Sequence, residues 1–142
     1  MIKLAFYKGP EDIFGKAIRL WTWGKYSHVE VMIGGEMFSS RAGIGTRCLM
    51  YPRIIDGQWD YVDVPVDAGQ EAHISKWCVS EMNCRYDWRG IFLSQILFLN
   101  REDPDKWFCS EFCAAALKVG GLLPGVVPHK MSPNGLYRKL TR

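Results

Sequence analysis

Residues 27–40, SHVEVMIGGEMFSS, constrain the fold more tightly than any other stretch of the chain. Val29, Val31 and Ile33 alternate with His28, Glu30 and Met32, which sends the two sets to opposite faces of one strand. Gly34-Gly35 supply a tight turn, and Met37 and Phe38 begin the returning strand. One face of this hairpin is apolar and must be covered, while the other carries varied chemistry. The remaining chain has to provide the cover.

It does so in two halves. IKLAFYK reads as an opening strand that Gly9-Pro10 breaks. EDIFGKAIRLWTWG follows as an amphipathic helix, with acidic residues in its first turn, Ile13, Ala17, Ile18 and Trp21 at helical spacing, and Gly24 near its end. Further strands are expected at TRCLMY and QWDYVDVPV, which are rich in β-branched and aromatic residues. After Pro65 the pattern turns helical, through DAGQEAHISKWCVSEMNCRY, DWRGIFLSQILFL and CSEFCAAALKVGG, the last stopped by Gly120-Gly121. SPNGLYRKL closes the chain as a helix with Ser132 as N-cap and Pro133 at its first position. No repeat, linker or low-complexity segment interrupts the 142 residues, so a single α+β domain over 1–142 is expected.

Composition narrows the partners. Charged residues make up 23% and the net charge is only +3, with Lys and Arg scattered, so the basic stripe of a nucleic-acid binder is missing. The start, MIKLAFYKGPEDIFG, lacks the apolar run of a secretory signal. No segment reaches the ~18–20 apolar residues of a membrane span. These features predict a protein without a transmembrane segment, made in the cytoplasm, with release by lysis or packaging left open. Five cysteines, an odd number without a CxxC pair, are expected as reduced thiols. Cys109 and Cys113, one helical turn apart, can bind a metal only with ligands from elsewhere, and the sequence calls for no cofactor or metal.

Cys109 is open to three readings: a nucleophile, a metal ligand with Cys113, or a small buried apolar residue. It begins a helix just after the polar turn REDPDKW. A helix N-terminus carries partial positive charge and unpaired N–H groups, which favour a thiolate and an oxyanion. Cys113 lies deeper in the helix and reads as packing, and nothing around Cys48, Cys78 or Cys84 suggests activation. Among three histidines, His28 begins the alternating strand and is the best-placed base for Cys109. His73 lies among helical polar residues and His129 in the loop GVVPHKMSP.

YSHVEVMIGGEMFSS followed much later by WFCSEFCAAAL resembles the circularly permuted papain-like cysteine hydrolases, relatives of the NlpC-type cell-wall endopeptidases and the lecithin:retinol acyltransferase-like proteins. In permuted members the histidine strand precedes the cysteine helix, as here. RYDWRGI resembles their intervening Tyr-Asp segment and SPNGLYRKL their closing SP-N-LY helix, so the likeness runs from about His28 to Leu140. The resemblance implies an antiparallel sheet or half-barrel packed against helices, with the catalytic cysteine at a helix N-terminus.

It also implies Cys109 as nucleophile and His28 as general base. The third polar residue falls on Ser40, or Ser39 beside it, where relatives often carry His, Glu or Gln. Glu30 is the alternative, since it shares His28's face, although side chains at i and i+2 run parallel and would meet only sideways. Otherwise Glu30 reads as a solvated position or a partner for Arg41 or Arg47. Tyr86, Asp87 and Trp88 are candidate cleft residues. The implied activity is attack on an amide, with a peptide of bacterial cell wall as first substrate and a phage or mobile element as one possible source. A lipid-directed acyltransferase or thioesterase and a catalytically inactive binding module are the alternatives.

Overall fold

The computed structural model describes residues 1–10, 13–41, 45–50, 57–82 and 109–142. The expected helix at DWRGIFLSQILFL, together with Cys84, Tyr86, Asp87, Trp88 and Trp107, lies outside the described residues. The described elements run β1 (Ile2–Tyr7), α1 (Ile13–Thr22), β2 (His28–Ile33), β3 (Glu36–Arg41), β4 (Gly45–Met50), β5 (Trp59–Val64), α2 (Ala68–Ser80), α3 (Cys109–Val119), a 3-10 turn (Pro128–Lys130) and α4 (Pro133–Leu140). The architecture is α+β, with α1 between the first two strands and the other helices after β5.

The strands form one antiparallel sheet in the order β4-β3-β2-β1-β5. β1 lies between β2 and β5: Ile2 pairs Ile33 on one side and Val64 on the other, and Tyr7 pairs His28 and Trp59. The hairpin closes through Gly34-Gly35 with Ile33 opposite Glu36, and the β2–β3 ladder ends at Val31 opposite Phe38. Leu4, Phe6, Val29, Val31, Ile33 and Phe38 are buried in a core shared with α3.

α3 is the helix that covers this face. Phe112, Cys113, Ala114, Ala116 and Leu117 are fully buried and only its last residues reach solvent, as expected of a helix apolar nearly all round. Its alanines keep the helix thin where it meets the sheet, and the Cys113 thiol comes to 3.6 Å from the Val29 carbonyl oxygen. Phe112 packs on Trp77 of α2, with ring centroids 5.2 Å apart. The helix ends in a Schellman motif: Gly121 takes a φ of +77°, Leu122 N–H donates to the Leu117 carbonyl and Gly121 N–H to that of Lys118.

α2 and α4 are both capped as their sequences require. Asp67 and Gln70 form a reciprocal capping box at α2, and the Ser132 hydroxyl accepts from Gly135 N–H at α4, with Pro133 in the first turn. Among the described residues no helix is long and apolar enough to cross a membrane. Asp67→Ala, which removes the α2 cap far from the sheet's histidine, is expected to lower stability by about 1 kcal/mol in urea denaturation.

Candidate functional site

The packing of α3 decides where its first residue goes. Cys113 abuts Val29, so Cys109, one turn towards the helix N-terminus, comes level with the preceding residue of β2, His28. Cys109 is 3% exposed, and its sulfur lies close enough to the His28 ring to favour the ring's charged form. Residues 81 positions apart thus meet where a strand begins and a helix begins (109 − 28).

The other side of the ring is held by Glu30. Its Oε1 lies 2.8 Å from His28 Nε2, which leaves Nδ1 as the ring nitrogen free to face Cys109. Glu30 is 2% exposed, and a buried carboxylate needs partners. The Ser39 hydroxyl donates to the same Oε1 at 3.1 Å, and an Arg47 guanidinium nitrogen approaches it to 3.5 Å. His28, Glu30, Ser39 and Arg47 therefore form a continuous polar row across β2, β3 and β4.

Burial of the His28 ring, 15% exposed, works against its charge. The Cys109 sulfur and the Glu30 carboxylate outweigh that cost and raise the imidazole to about 9. The imidazolium is accordingly the resting form at neutral pH. Because the folded value lies above the ordinary 6.5, this pairing stabilises the fold fully below 6.5, and the contribution is lost as pH rises through about 9.

The other thiols have different surroundings. Burial pushes Cys78 up to about 12 and Cys113 well above the ordinary range, and Cys48 is raised by partial burial with help from Glu36. His73 is exposed on α2, and His129 sits in the 3-10 turn. Ser39 rather than Ser40 donates to Glu30; Ser40, 1% exposed, follows it on a strand whose successive side chains face opposite ways. Tyr86, Asp87 and Trp88 lie outside the described residues. Glu30 is neither solvated nor merely a partner of Arg47: it binds both Arg47 and the ring.

Of two further neighbours, Arg47 is one of the two arginines expected as a partner of Glu30, and Trp59 carries no signal in the sequence. Trp59 stands edge-on to His28, with centroids 6.5 Å apart, because β1 brings both into register with Tyr7. Arg47 reaches Glu30 from β4, a pairing that the hairpin pattern alone leaves undetermined. Among the described residues no group of three His, Cys, Asp or Glu side chains is arranged to hold a metal ion.

Compared with known proteins, the chain matches no family model and no curated sequence. The arrangement itself is a cysteine sulfur at a helix N-terminus, beside an imidazolium that a buried carboxylate holds from behind. Such a set can deliver a sulfur nucleophile and return a proton. The His28 ring resonance is expected to titrate near 9 by NMR and to move down in Glu30→Gln, which removes one of the two charges that raise it. A midpoint at the ordinary ~6.5 in the wild type would rule out the paired arrangement.

Proposed function

We propose that this chain is a cysteine hydrolase of amide bonds built on a circularly permuted papain-like fold. Cys109 is the nucleophile, His28 the base and then the acid, and Glu30 the residue that orients the ring. The observation that carries the reading is the His28 ring held by Glu30 Oε1 at 2.8 Å, with the Cys109 sulfur near enough to favour its charge. The order of elements, histidine strand first and cysteine helix later, supports the permuted arrangement. Glu30 takes the third role ahead of Ser40 because its carboxylate is the group in contact with Nε2.

In the proposed reaction the Cys109 proton has passed to His28, so the thiolate of the ion pair adds to the amide carbonyl carbon and the carbonyl electron pair moves onto oxygen. The backbone N–H of Cys109, at the helix start, is positioned as one donor to that oxyanion. Collapse breaks the C–N bond as His28 passes its proton to the leaving amine. The resulting thioester is hydrolysed when neutral His28 takes a proton from water, whose oxygen attacks the same carbon. The acid leaves, and Cys109 and His28 return to their starting forms. A stem peptide of bacterial cell wall is the substrate proposed first, on the family resemblance.

Iodoacetamide at mildly acidic pH is expected to modify Cys109 ahead of the other thiols, read by peptide mass spectrometry, and His28→Ala is expected to erase that preference. Equal labelling of all cysteines would sink the proposal. Cleavage of cell-wall stem peptides is expected to vanish in Cys109→Ser and to fall by about 10²–10⁴ in His28→Ala. Turnover of thioesters or lipid esters with no amide cleavage would move the reading to an acyltransferase or thioesterase.

A further inference from the structure

The site's two reacting residues come from distant parts of the chain, and a third part touches the neighbours of both. Ser110, next to Cys109 and fully buried, donates its hydroxyl to the Met131 carbonyl at 2.5 Å. Asn134, three residues further along and 4% exposed, grips Tyr26, two residues before His28. Its Oδ1 accepts from Tyr26 N–H at 3.0 Å, and its Nδ2 donates to the Tyr26 carbonyl at 2.7 Å and to Thr22 Oγ1 at 2.6 Å. Thr22 in turn donates to the Ile18 carbonyl at 2.8 Å, so the hydroxyl that receives Nδ2 is itself held in place.

The backbone closes on this amide. A Cβ at Gly24 would stand 2.1 Å from Asn134 Cγ, so only glycine lets the chain pass there. Tyr26 is fixed at its other end as well: its hydroxyl donates to Asp60 at 2.6 Å, a carboxylate that also binds Lys8 and Lys25. The ring packs between Phe6 and Tyr137, at centroid distances of 5.2 and 4.6 Å. Ser132 caps α4 between the two contacts and holds Met131 and Asn134 at a set separation. The amide is more than structural filling, because a buried apolar side chain would fill the space without gripping both the N–H and the carbonyl of one peptide segment.

We propose that Met131–Asn134 is a bracket that sets the spacing between Cys109 and His28, with Ser110 and Asn134 as positioning residues. Neither touches a reacting atom; each holds the residue beside or just before one. This rests on the cysteine-hydrolase reading, and it assigns to the SPN segment a task beyond starting a helix. Loosening either arm lets the sulfur and the ring drift apart, and the ring then loses the contribution of Cys109 to its charge.

The test compares alkylation of Cys109 by iodoacetate, an anion, with that by neutral iodoacetamide. The imidazolium draws the anion, so in the wild type the ratio of the two rates is expected to fall as pH rises through about 9. In Ser110→Ala and in Asn134→Asp, which keeps the size but loses both donations, the midpoint is expected to move down towards ~6.5. Thr22→Val loosens the amide more mildly and serves if Asn134→Asp does not fold. Asp67→Ala controls for lost stability and is expected to keep the wild-type midpoint. Unchanged midpoints in the folded bracket variants overturn the bracket alone. A wild type whose ratio does not fall overturns it together with the hydrolase reading.

Discussion

A carboxylate with 2% of its side chain exposed is the constraint around which the sheet's polar side is organised. Left alone, Glu30 would cost several kcal/mol in desolvation and would escape by taking up a proton. Three donors on three strands prevent this: the His28 ring, the Ser39 hydroxyl and the Arg47 guanidinium. The same arrangement explains why the histidine is charged. Its ring is buried enough to prefer neutrality, and only the carboxylate and sulfur on its two sides reverse that preference.

The second constraint is steric. α3 reaches the sheet closely because small residues line its contact with β2, and that approach lets Cys109 arrive at the level of the sheet. The Cys113 contact with the Val29 carbonyl fixes the register of helix against strand. A one-residue rotation of α3 would carry Cys109 about 100° away from the ring, so the packing of one buried cysteine governs the placing of another.

Much of this was legible in the sequence, for identifiable reasons. The β2–β3 hairpin, the capped α4 and the glycine-stopped α3 follow from local rules of alternation, capping and left-handed φ, and each stands where those rules put it. The meeting of Cys109 with His28 was expected from a resemblance and from side-chain chemistry, not from periodicity. What local rules could not give is the order of strands. Arg47 comes beside Glu30 through β3, where Ser39 pairs with Arg47, and Trp59 comes beside His28 through the long-range pairing of β2 and β5 with β1. The third residue shows the limit most clearly. Strand alternation put Glu30 and His28 on one face but said that they would lie parallel, whereas both side chains lean along the strand until they touch.

The hydrogen bonds between Asn134 and Tyr26 join residues 108 positions apart, and they have a consequence for the order of assembly. The hairpin that bears His28 is synthesised early and can pair locally, but its entry segment acquires these partners only once α4 has been made. Closing so long a loop is slow relative to forming the hairpin or a helix. During synthesis the histidine strand therefore exists well before its entry segment is tied down, and the thiol that faces it is made later still than the strand. The pairing of Cys109 with His28 is therefore completed late, once the C-terminal helices have been made and docked.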